Sequence, residues 1–540
     1  MRRKLLLWIA PWIALGLGAC ATVQPPAAIS KACAEWRWIG ITRSAEDECP
    51  PIPGWKEERL FPSLAAERLE AGAYVARKEF LAAPDPEVVQ ELKRFCVFEP
   101  TWKSGKAPAP PAPTGKLVRI DQDCAAISVA GDPDKITDWE TFSERFLQQA
   151  GKTGTALEIK NRRGVRLAFL DTHPTGDVVP TEPPHGELAS EHGYTLTHIA
   201  RNLICSPEDT GVCAAQITTR LALPITKFDS RSRKGTKTDE KHGGRIGLQS
   251  DLAEAIRAEV DDWLVLREKE DAPQHLVINL SVAWDGDRFG GLDEGQVANM
   301  RTGTQAVYWA LRYASGFDVL VLAAAGNKST CATERPLLPA AWENGAPREE
   351  VCGERSRTPL LLYAVGGVDS EGKPLSNARD RAMPPRAAYG ASAVVPALTP
   401  GDSTAKYTGT SVSTAVVSSI AAIVWDTLPD RSPSQIMDIL YRSGDDLPPL
   451  QADFGSGAGA AGLGAGSQVR RLSLCPALLA ACEELGGRGG CPMRELSCEP
   501  WTPVANLPSS PPLLSSCHPW VQTQPPTEPC PVCEPPRFSQ

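Results

Sequence analysis

The sequence has no excess of basic residues. Its 56 Lys and Arg are outnumbered by 65 Asp and Glu, which gives 540 residues a net charge of −9. Because phosphate contacts need clustered Lys and Arg, this balance argues against a nucleic-acid-binding protein. One basic run, Arg231–Lys241, is rich in Gly and Thr and is partly neutralised by its own acidic residues. That composition favours a solvated loop.

The chain begins with an apolar run that is too short for a comfortable membrane span, Leu5–Gly18. Basic residues precede it and small residues follow it, which is the layout of a secretory signal. Its end, Leu17-Gly18-Ala19-Cys20, resembles the lipobox of bacterial lipoproteins. The resemblance implies that residues 1–19 are removed and that a lipid on Cys20 anchors the protein to a membrane of the bacterial cell envelope, on its periplasmic or outer-membrane face. The alternative is an ordinary cleaved signal, and export is expected either way.

Export changes what the 16 cysteines mean, because disulfides are the default in an oxidising compartment. An odd number remains once Cys20 is set aside, so its lipidation would leave one thiol free or bonded to a partner. Pairing cannot be fixed from sequence, but closeness along the chain suggests four bonds: Cys33–Cys49, Cys96–Cys124, Cys205–Cys213 and Cys331–Cys352.

Changes in composition predict the organisation of the chain. Residues 21–155 are mixed, with a predicted helix over Lys56–Ala83 and a Pro-rich break at Lys106–Lys116. Short apolar runs alternate with amphipathic ones over residues 156–447. Residues 448–470 contain a Gly/Ala-rich linker, and 471–540 form a Cys- and Pro-rich tail. No internal repeat is strong enough to name.

Residues 156–447 are predicted to fold as an α/β domain with a doubly wound, mostly parallel sheet, because nearly continuous apolar strands separated by helices need cover on both faces. The predicted strands are Val165–Asp171, His275–Ala283, Asp318–Gly326 and Pro359–Val368. The predicted helices include Ser190–Leu203, Leu248–Glu270, Glu294–Ser315 and the run that follows Ser411.

Four polar residues lie where such a sheet places a functional site, which is at the carboxyl ends of its strands. Asp171 ends one predicted strand and Asn327 directly follows another, whereas His192 and Ser411 begin predicted helices. A serine hydroxyl becomes a nucleophile when an imidazole takes its proton, and a carboxylate then orients the imidazole. An Asn side chain and a helix N-terminal N–H can stabilise the oxyanion that forms. A serine at a helix start can also be a simple N-cap.

The sequence segments around these residues resemble the motifs of the subtilisin-like (subtilase) serine peptidases over about residues 160–445. "AFLDTHP" is similar to the family's Asp-Thr-Gly motif, and "EHGYTLTHIA" to its His-Gly-Thr-His-Val-Ala motif. "AAAGN" matches Ala-Ala-Gly-Asn, and "GTSVSTAVVS" matches Gly-Thr-Ser-Met-Ala. "VINLSVA" stands where the family has a strand lining the substrate cleft.

The resemblance implies an exported serine endopeptidase with protein or peptide substrates and a subtilisin-like fold. Ser411 would be the nucleophile, His192 the general acid and base, and Asp171 the residue that orients His192. Asn327 and the Ser411 N–H would form the oxyanion hole. Three residues would pair with the substrate backbone, Ser281, Val282 and Ala283. Similar enzymes often bind structural calcium, although no Asp-rich loop here identifies a site.

The motifs depart from the family pattern at several positions. His173-Pro174 follows Asp171-Thr172 in place of a glycine, and the His motif has two extra residues before His198. Ala415 and Val416 replace a usual proline and a frequent histidine. Phe228–Gly244 and the Cys331–Cys352 region read as insertions. Residues 21–155 are either a propeptide, as similar enzymes carry, or a retained accessory region.

Other functions are less favoured by the sequence. One cluster could bind a metal: His185, Glu187, Glu191 and His192. A metallohydrolase is disfavoured because no His-Glu-x-x-His motif occurs, and an α/β-hydrolase because no Gly-x-Ser-x-Gly motif occurs. Cys530-Pro-Val-Cys533 favours a structural disulfide over a redox pair or half a zinc site. The main alternative is a catalytically inactive subtilase fold that serves as a binding or scaffolding lipoprotein.

Overall fold

The structure is a computed structural model. It describes residues 32–68, 84–101, 109, 111–112, 115–128, 134–135, 146–151, 164–177, 190–205, 213–269, 271–286, 297–328, 335–345, 360–395, 405–453, 463, 466–486 and 498. The predicted signal with Cys20, the Cys331–Cys352 pair and the Cys530-Pro-Val-Cys533 motif lie outside these ranges. In the part of the chain that is described, no helix is both long and apolar enough to cross a membrane.

The described strands are β1 (Cys33–Thr42), β2 (Trp55–Arg59), β3 (Phe95–Pro100), β4 (Leu117–Ser128), β5 (Asp134–Lys135), β6 (Val165–Asp171), β7 (Gly176–Asp177), β8 (Gln216–Leu221), β9 (Ile225–Lys227), β10 (Lys237–Thr238), β11 (Ile246–Leu248), β12 (His275–Leu280), β13 (Val282–Ala283), β14 (Leu320–Ala324), β15 (Tyr363–Val368), β16 (Arg386–Tyr389), β17 (Ala393–Val395), β18 (Ala405–Tyr407), β19 (Asp445–Gln451) and β20 (Gln468–Arg471). The α-helices are α1 (Ala65–Arg68), α2 (Pro86–Lys93), α3 (His192–Ile204), α4 (Gln249–Leu266), α5 (Thr302–Gly316), α6 (Trp342–Gly345), α7 (Thr410–Thr427), α8 (Pro433–Ser443) and α9 (Leu474–Glu484).

A central, mostly parallel sheet has the strand order β19-β20-β16-β15-β14-β12-β6-β8-β7. Strands β20 to β8 in that order run parallel, whereas the edge strands β19 and β7 pair antiparallel. Strands β6, β14 and β15 are buried along their whole length. The apolar runs in the sequence therefore correspond to strands that are covered on both faces, as predicted.

Helices cover the two faces of this sheet, and alternate residues of each strand contribute to separate cores. On β6, Leu167 and Phe169 pack in the core that contains α3 and α7. Ala168 and Leu170 face the opposite core, which contains α4 and α5. Helices α3 and α7 also pack against each other. Their N-termini carry His192 and Ser411, so the fold places these residues on one face of the sheet.

A second sheet joins the N-terminal region to the central part of the chain. Its order is β10-β9-β11-β4-β1-β3-β2, and β13 pairs with β4 outside this path. Strand β4 pairs antiparallel with β11, where Ile246 lies opposite Ile127. Trp36 of β1 packs with Phe228 in the same small core, and its indole N–H donates to the Asp229 carbonyl at 2.8 Å. The predicted insertion Phe228–Gly244 thus contacts the N-terminal region.

Two carboxylates of β4 bind the N-terminal ends of the helices beneath this sheet. Asp123 Oδ1 accepts from the backbone N–H of Ser250, in α4, at 3.3 Å. Asp121 Oδ2 accepts from the Thr302 N–H, at the start of α5, at 3.1 Å. Because helix N-termini have unpaired N–H groups and attract negative charge, these contacts favour the packing of β4 on both helices.

The predicted helix over Lys56–Ala83 is wrong for Lys56–Arg59, which belongs to β2, and only Ala65–Arg68 is helical among its described residues. Lys56 lies opposite Glu99 in an antiparallel ladder with β3. Charged residues are acceptable on such a half-exposed strand, so tertiary pairing overrides the local helical pattern. In the helix predicted over Glu294–Ser315, Val297–Asn299 form a short 3₁₀ helix and the α-helix begins at Thr302.

Two of the expected disulfides are wrong. The structure joins Cys33 to Cys124 and Cys49 to Cys96, whereas the Cys205–Cys213 bond is confirmed. The register of β1 with β4 places Cys33 directly opposite Cys124, 91 residues away in sequence. Closeness along the chain was therefore the wrong criterion in a sheet built from distant strands. A further bond, Cys475–Cys498, lies in the tail.

Candidate active site

Asp171 and His192 form a buried pair at the carboxyl end of β6. The Asp171 side chain is fully buried, and its Oδ1 lies 2.8 Å from His192 Nδ1. The same oxygen accepts from the Thr172 backbone N–H at 2.7 Å. Against an ionised carboxylate, which can only accept, a neutral imidazole carries its proton on Nδ1 and its lone pair on Nε2. Nε2 is buried and has no hydrogen-bond partner within the described ranges.

The start of α3 is held close to the turn that follows β6. The Gly193 N–H donates to Thr172 Oγ1 at 2.9 Å. A Cβ on Gly193 would lie 2.7 Å from the His173 backbone nitrogen, which is closer than van der Waals contact allows. The glycine of the His motif is therefore needed for close approach, and this approach fixes the His192 ring against Asp171.

Ser411 lies in the first turn of α7 and is 3% exposed. The helix starts after Gly409, whose carbonyl accepts from the Val412 N–H at 3.1 Å. Backbone N–H groups of the first helical turn have no partner within the helix and point outward from its N-terminus. The Ser411 hydroxyl is therefore located where such N–H groups and the helix dipole stabilise negative charge.

Asn327 follows β14 and is tied to the residue before Ser411. Its Oδ1 accepts from both the backbone N–H and the hydroxyl of Thr410, each at 3.1 Å. Both contacts use the amide oxygen. A Cβ on Gly409 would lie 2.6 Å from Asn327 Nδ2. The Asn327 amide thus lies against the turn that leads into Ser411.

The segment predicted to pair with a substrate backbone is already paired with the chain itself. Val282 lies opposite Ser128 and Ala283 opposite Ile127, in an antiparallel ladder between β13 and β4. Ser281 is fully buried and donates through Oγ to Asn279 Oδ1 at 3.0 Å. The N-terminal region therefore occupies the strand position that the sequence assigns to a peptide.

The two other histidines near the pair have different environments. Burial lowers the pKa of His198 to about 4, so this ring is neutral at pH 7 and packs against the Tyr194 ring. Burial also lowers the pKa of His173, whose Nδ1 lies 3.0 Å from the Pro174 carbonyl. Neither ring shares the hydrogen bond that orients His192.

In the cluster considered as a metal site, each described residue is hydrogen-bonded to a residue outside the cluster. His185 and Glu187 lie outside the described residues. His192 is bonded to Asp171, and the Glu191 carboxylate accepts from the Tyr407 hydroxyl. In the described ranges, no group of three or more His, Cys, Asp or Glu side chains could hold a metal ion.

Sequence reasoning missed three residues that hold these groups in place, Thr172, Thr410 and Tyr407, and it considered a fourth, Glu191, only as a possible metal ligand. Thr172 and Thr410 lie inside the recognised motifs, next to Asp171 and Ser411, so the signal for them was their position. Tyr407 and Glu191 belong to segments 216 residues apart. No local pattern connects those two.

Comparison with known families identifies the central part of the chain. The sequence model of the subtilase family, Peptidase_S8, matches residues 242–459. Residues 242–459 therefore contain a subtilase-family peptidase domain, and this family consists of serine peptidases. The match includes Asn327 and Ser411, whereas Asp171 and His192 precede it. No curated protein matches the chain.

Several solved structures of proteases are similar to this chain at low identity. The prenylagaramide maturation protease PagA is 21% identical, covers 60% of this chain and 95% of its own, and has a TM-score of 0.34. Fervidolysin from Fervidobacterium pennivorans, a keratinolytic enzyme related to subtilisin, is 12% identical, covers 82% of this chain and 60% of its own, and has a TM-score of 0.43. MycP1 from Mycobacterium smegmatis is 16% identical, covers 71% of this chain and 93% of its own, and has a TM-score of 0.38.

Proposed function

We propose that this protein is an exported serine endopeptidase that hydrolyses peptide bonds through an acyl-enzyme on Ser411. The observation that carries the proposal is the buried His192 imidazole, bonded through Nδ1 to Asp171 and unpartnered at Nε2. An imidazole in this state accepts a proton at Nε2, and the carboxylate stabilises the imidazolium that results. The subtilase-family match around Ser411 supports the same assignment.

In the proposed mechanism, His192 Nε2 removes the hydroxyl proton of Ser411 as the oxygen attacks the substrate carbonyl. The resulting oxyanion accepts hydrogen bonds from Asn327 Nδ2 and from the Ser411 N–H. One such donor stabilises the transition state by about 3–4 kcal/mol. His192 then gives its proton to the leaving amine, and the acyl-enzyme forms. Water deacylates Ser411 by the same route in reverse, with His192 again as the base.

The same proposal includes the cellular location predicted from the leader. The leader resembles those of lipoproteins, so the enzyme would act from a lipid anchor on Cys20 at the bacterial cell envelope. Its substrates would be proteins or peptides in that compartment, as the family match implies. A catalytically inactive, subtilase-fold binding protein remains the alternative.

A fluorophosphonate probe tests the proposed function because it reacts with serines that an adjacent base has activated. We expect the native full-length protein to be labelled at Ser411, with the site identified by mass spectrometry of the modified peptide. Protein denatured before exposure should stay unlabelled, because the Asp171–His192 pair exists only in the fold. A folded protein that stays unlabelled even when the N-terminal region is released from β13 would favour the inactive binding protein.

We further propose that residues 32–128 inhibit the site by occupying the substrate strand, which favours the propeptide reading of this region over the accessory one. The pairing of β4 with β13 supports this, because a substrate that adds a strand beside Val282 and Ala283 must displace Ser128 and Ile127. The same stretch of β4 also pairs with β11. A competing peptide would therefore have to break both ladders.

The substitution Ile127→Pro tests this inhibition. Ile127 lies opposite both Ile246 and Ala283, and its side chain is 49% exposed. Proline removes the one N–H that Ile127 can donate to a neighbouring strand, and its ring is poorly tolerated in a strand paired on both sides, so we expect kcat/KM for an extended fluorogenic peptide to rise at least about tenfold. Ile127→Thr, which changes the exposed side chain but keeps the N–H, should match the wild type.

Equal rates for wild type and Ile127→Pro, in proteins with the same circular dichroism spectrum, would contradict the inhibition. The fluorophosphonate probe should also be applied to Ile127→Pro. Label on this variant but not on the wild type would mean that the N-terminal region shields an active serine. Absence of label on both would contradict the peptidase itself.

A further inference from the structure

The hydrogen bond between Tyr407 and Glu191 links the two segments that carry His192 and Ser411. Glu191 immediately precedes His192, and Tyr407 ends β18, four residues before Ser411. The Tyr407 hydroxyl donates to Glu191 Oε2. We infer that this bond is a positioning device that sets the distance between the His192 ring and the Ser411 hydroxyl. The inference rests on the proposed peptidase function.

The Tyr407 end of the bond is rigidly held. Tyr407 is 7% exposed and lies opposite Ala393 in the ladder of β17 and β18. The next residue, Thr408, receives the Asn377 side-chain N–H on its carbonyl and the Ser392 N–H on its hydroxyl, each at 2.9 Å. A side chain bonded to Tyr407 is therefore bonded to a fixed part of the strand that leads into Ser411.

The Glu191 end lies at the start of α3 but does not serve the helix as a cap. Ser190 Oγ accepts from the His192 N–H at 3.2 Å, whereas the N-cap residue Glu191 makes no side-chain bond to the helix. Its carboxylate is directed to Tyr407 instead. The start of α3 is thus held from two sides, by Thr172 through Gly193 and by Tyr407 through Glu191.

Burial and charge keep the phenol in the form that can donate. Burial raises the pKa of Tyr407, and the hydrogen bond to Glu191 and the charge of that residue raise it further, while a hydrogen bond with Thr195 and the Arg245 charge lower it. The hydroxyl therefore stays protonated over the whole range in which a histidine base works. The bond does not switch with pH in that range, so it acts as a constant constraint.

The simpler role for the bond is to satisfy a buried phenol, and the two roles predict different results. A structural role changes stability, whereas a positioning role changes kcat and the reactivity of Ser411. The spacing between Ser411 and His192 matters because His192 Nε2 has no hydrogen-bond partner among the described residues. The proton transfer then depends on how α3 and α7 are held, and a small misplacement of reacting groups lowers the rate strongly.

The experiment compares Tyr407→Phe, Glu191→Ala, their double variant and Glu191→Gln in the full-length chain. We expect Tyr407→Phe and Glu191→Ala each to lower kcat and the fluorophosphonate labelling rate about tenfold, with KM changed less than about twofold. The double variant should be no slower than either single one, because both break the same bond. Glu191→Gln should recover most of the rate, since its amide oxygen still accepts from Tyr407.

Tyr441→Phe is the matched control, because Tyr441 also donates its hydroxyl, to the Gln468 carbonyl at 2.8 Å, in a different part of the fold. Its kcat should equal that of the wild type. Unchanged kcat in Tyr407→Phe and Glu191→Ala, with an active wild type, would overturn the positioning role. So would rate losses that multiply in the double variant, or a rate that falls only in step with the melting temperature. Absence of turnover and label from both the wild type and Ile127→Pro would contradict the proposed function instead.

Discussion

Replacement of Ser411 by alanine is expected to lower kcat for peptide hydrolysis about 10⁶-fold, which is the order of loss when the nucleophile is removed from a serine peptidase of this type. The variant lacks the oxygen that attacks the carbonyl, so no acyl-enzyme can form. Its fold should be retained, because Ser411 lies within α7 and alanine is the best helix former. The measurement is hydrolysis of a fluorogenic peptide by Ser411→Ala and wild type, with labelling in parallel.

Ser419 provides the matched control for this change. It lies on the same helix, is fully buried, and donates its hydroxyl to the Ala415 carbonyl at 2.7 Å. Ser419→Ala therefore makes the same chemical change in the same helix, away from the site, and should leave kcat unchanged. Turnover above about one hundredth of wild type in Ser411→Ala would contradict the mechanism, because no other group in the proposed site can form the ester.

The substitution Asp171→Asn is expected to lower kcat about 10⁴-fold while leaving the shape of the site intact. Asn has the size of Asp, but the oxygen that accepts from the Thr172 N–H is the same one that faces His192 Nδ1. An amide oxygen in that place keeps both bonds but lacks the negative charge that stabilises the imidazolium, whereas an amide NH₂ there would lose the Thr172 N–H and donate to His192 Nδ1. That contact moves the imidazole proton to Nε2, which can no longer accept the hydroxyl proton of Ser411.

Steady-state kinetics and thermal unfolding of Asp171→Asn test this prediction together. The expected signature is a large loss of kcat with little change in KM and a melting temperature close to wild type. Asp177→Asn is the control, since Asp177 also bonds a side chain, Gln216 at 3.2 Å, but is exposed on an edge strand. A loss of less than about tenfold in Asp171→Asn would show that His192 does not depend on this carboxylate for its tautomer.

The Ile127 and Glu191 variants test two separate properties of the same site, access of a peptide to it and the rate at which the bound peptide reacts. Ile127→Pro changes access to the β13 strand and should act on kcat/KM, whereas the Glu191–Tyr407 variants should act on kcat. If both sets behave as expected, the N-terminal region controls whether a peptide can bind, and the start of α3 controls how fast the bound peptide reacts. The two effects should then combine independently, because β4 and Tyr407 share no described hydrogen bond.

Much of the central region could be predicted from local pattern. The apolar run Val165–Asp171 occurs as a strand, and the helix predicted to begin at Ser411 begins one residue earlier, at Thr410. These elements depend on periodicity and on glycines within a few residues, which a single sequence displays directly. The same pattern predicted that Asp171 and Asn327 lie at the carboxyl ends of strands. The structure brings Asp171 into contact with His192, and Asn327 into contact with Thr410 beside Ser411.

What the sequence by itself determined is therefore the set of elements, the α/β alternation and the chemical types at the strand ends. Only the tertiary structure decided that Cys33 joins Cys124, that β4 lies beside β13, and that Tyr407 reaches Glu191. The physical reason is the same for all three. Each depends on the register between segments from about 90 to more than 200 residues apart. Such register is set by the packing of whole sheets and helices, and no local pattern in the sequence records it.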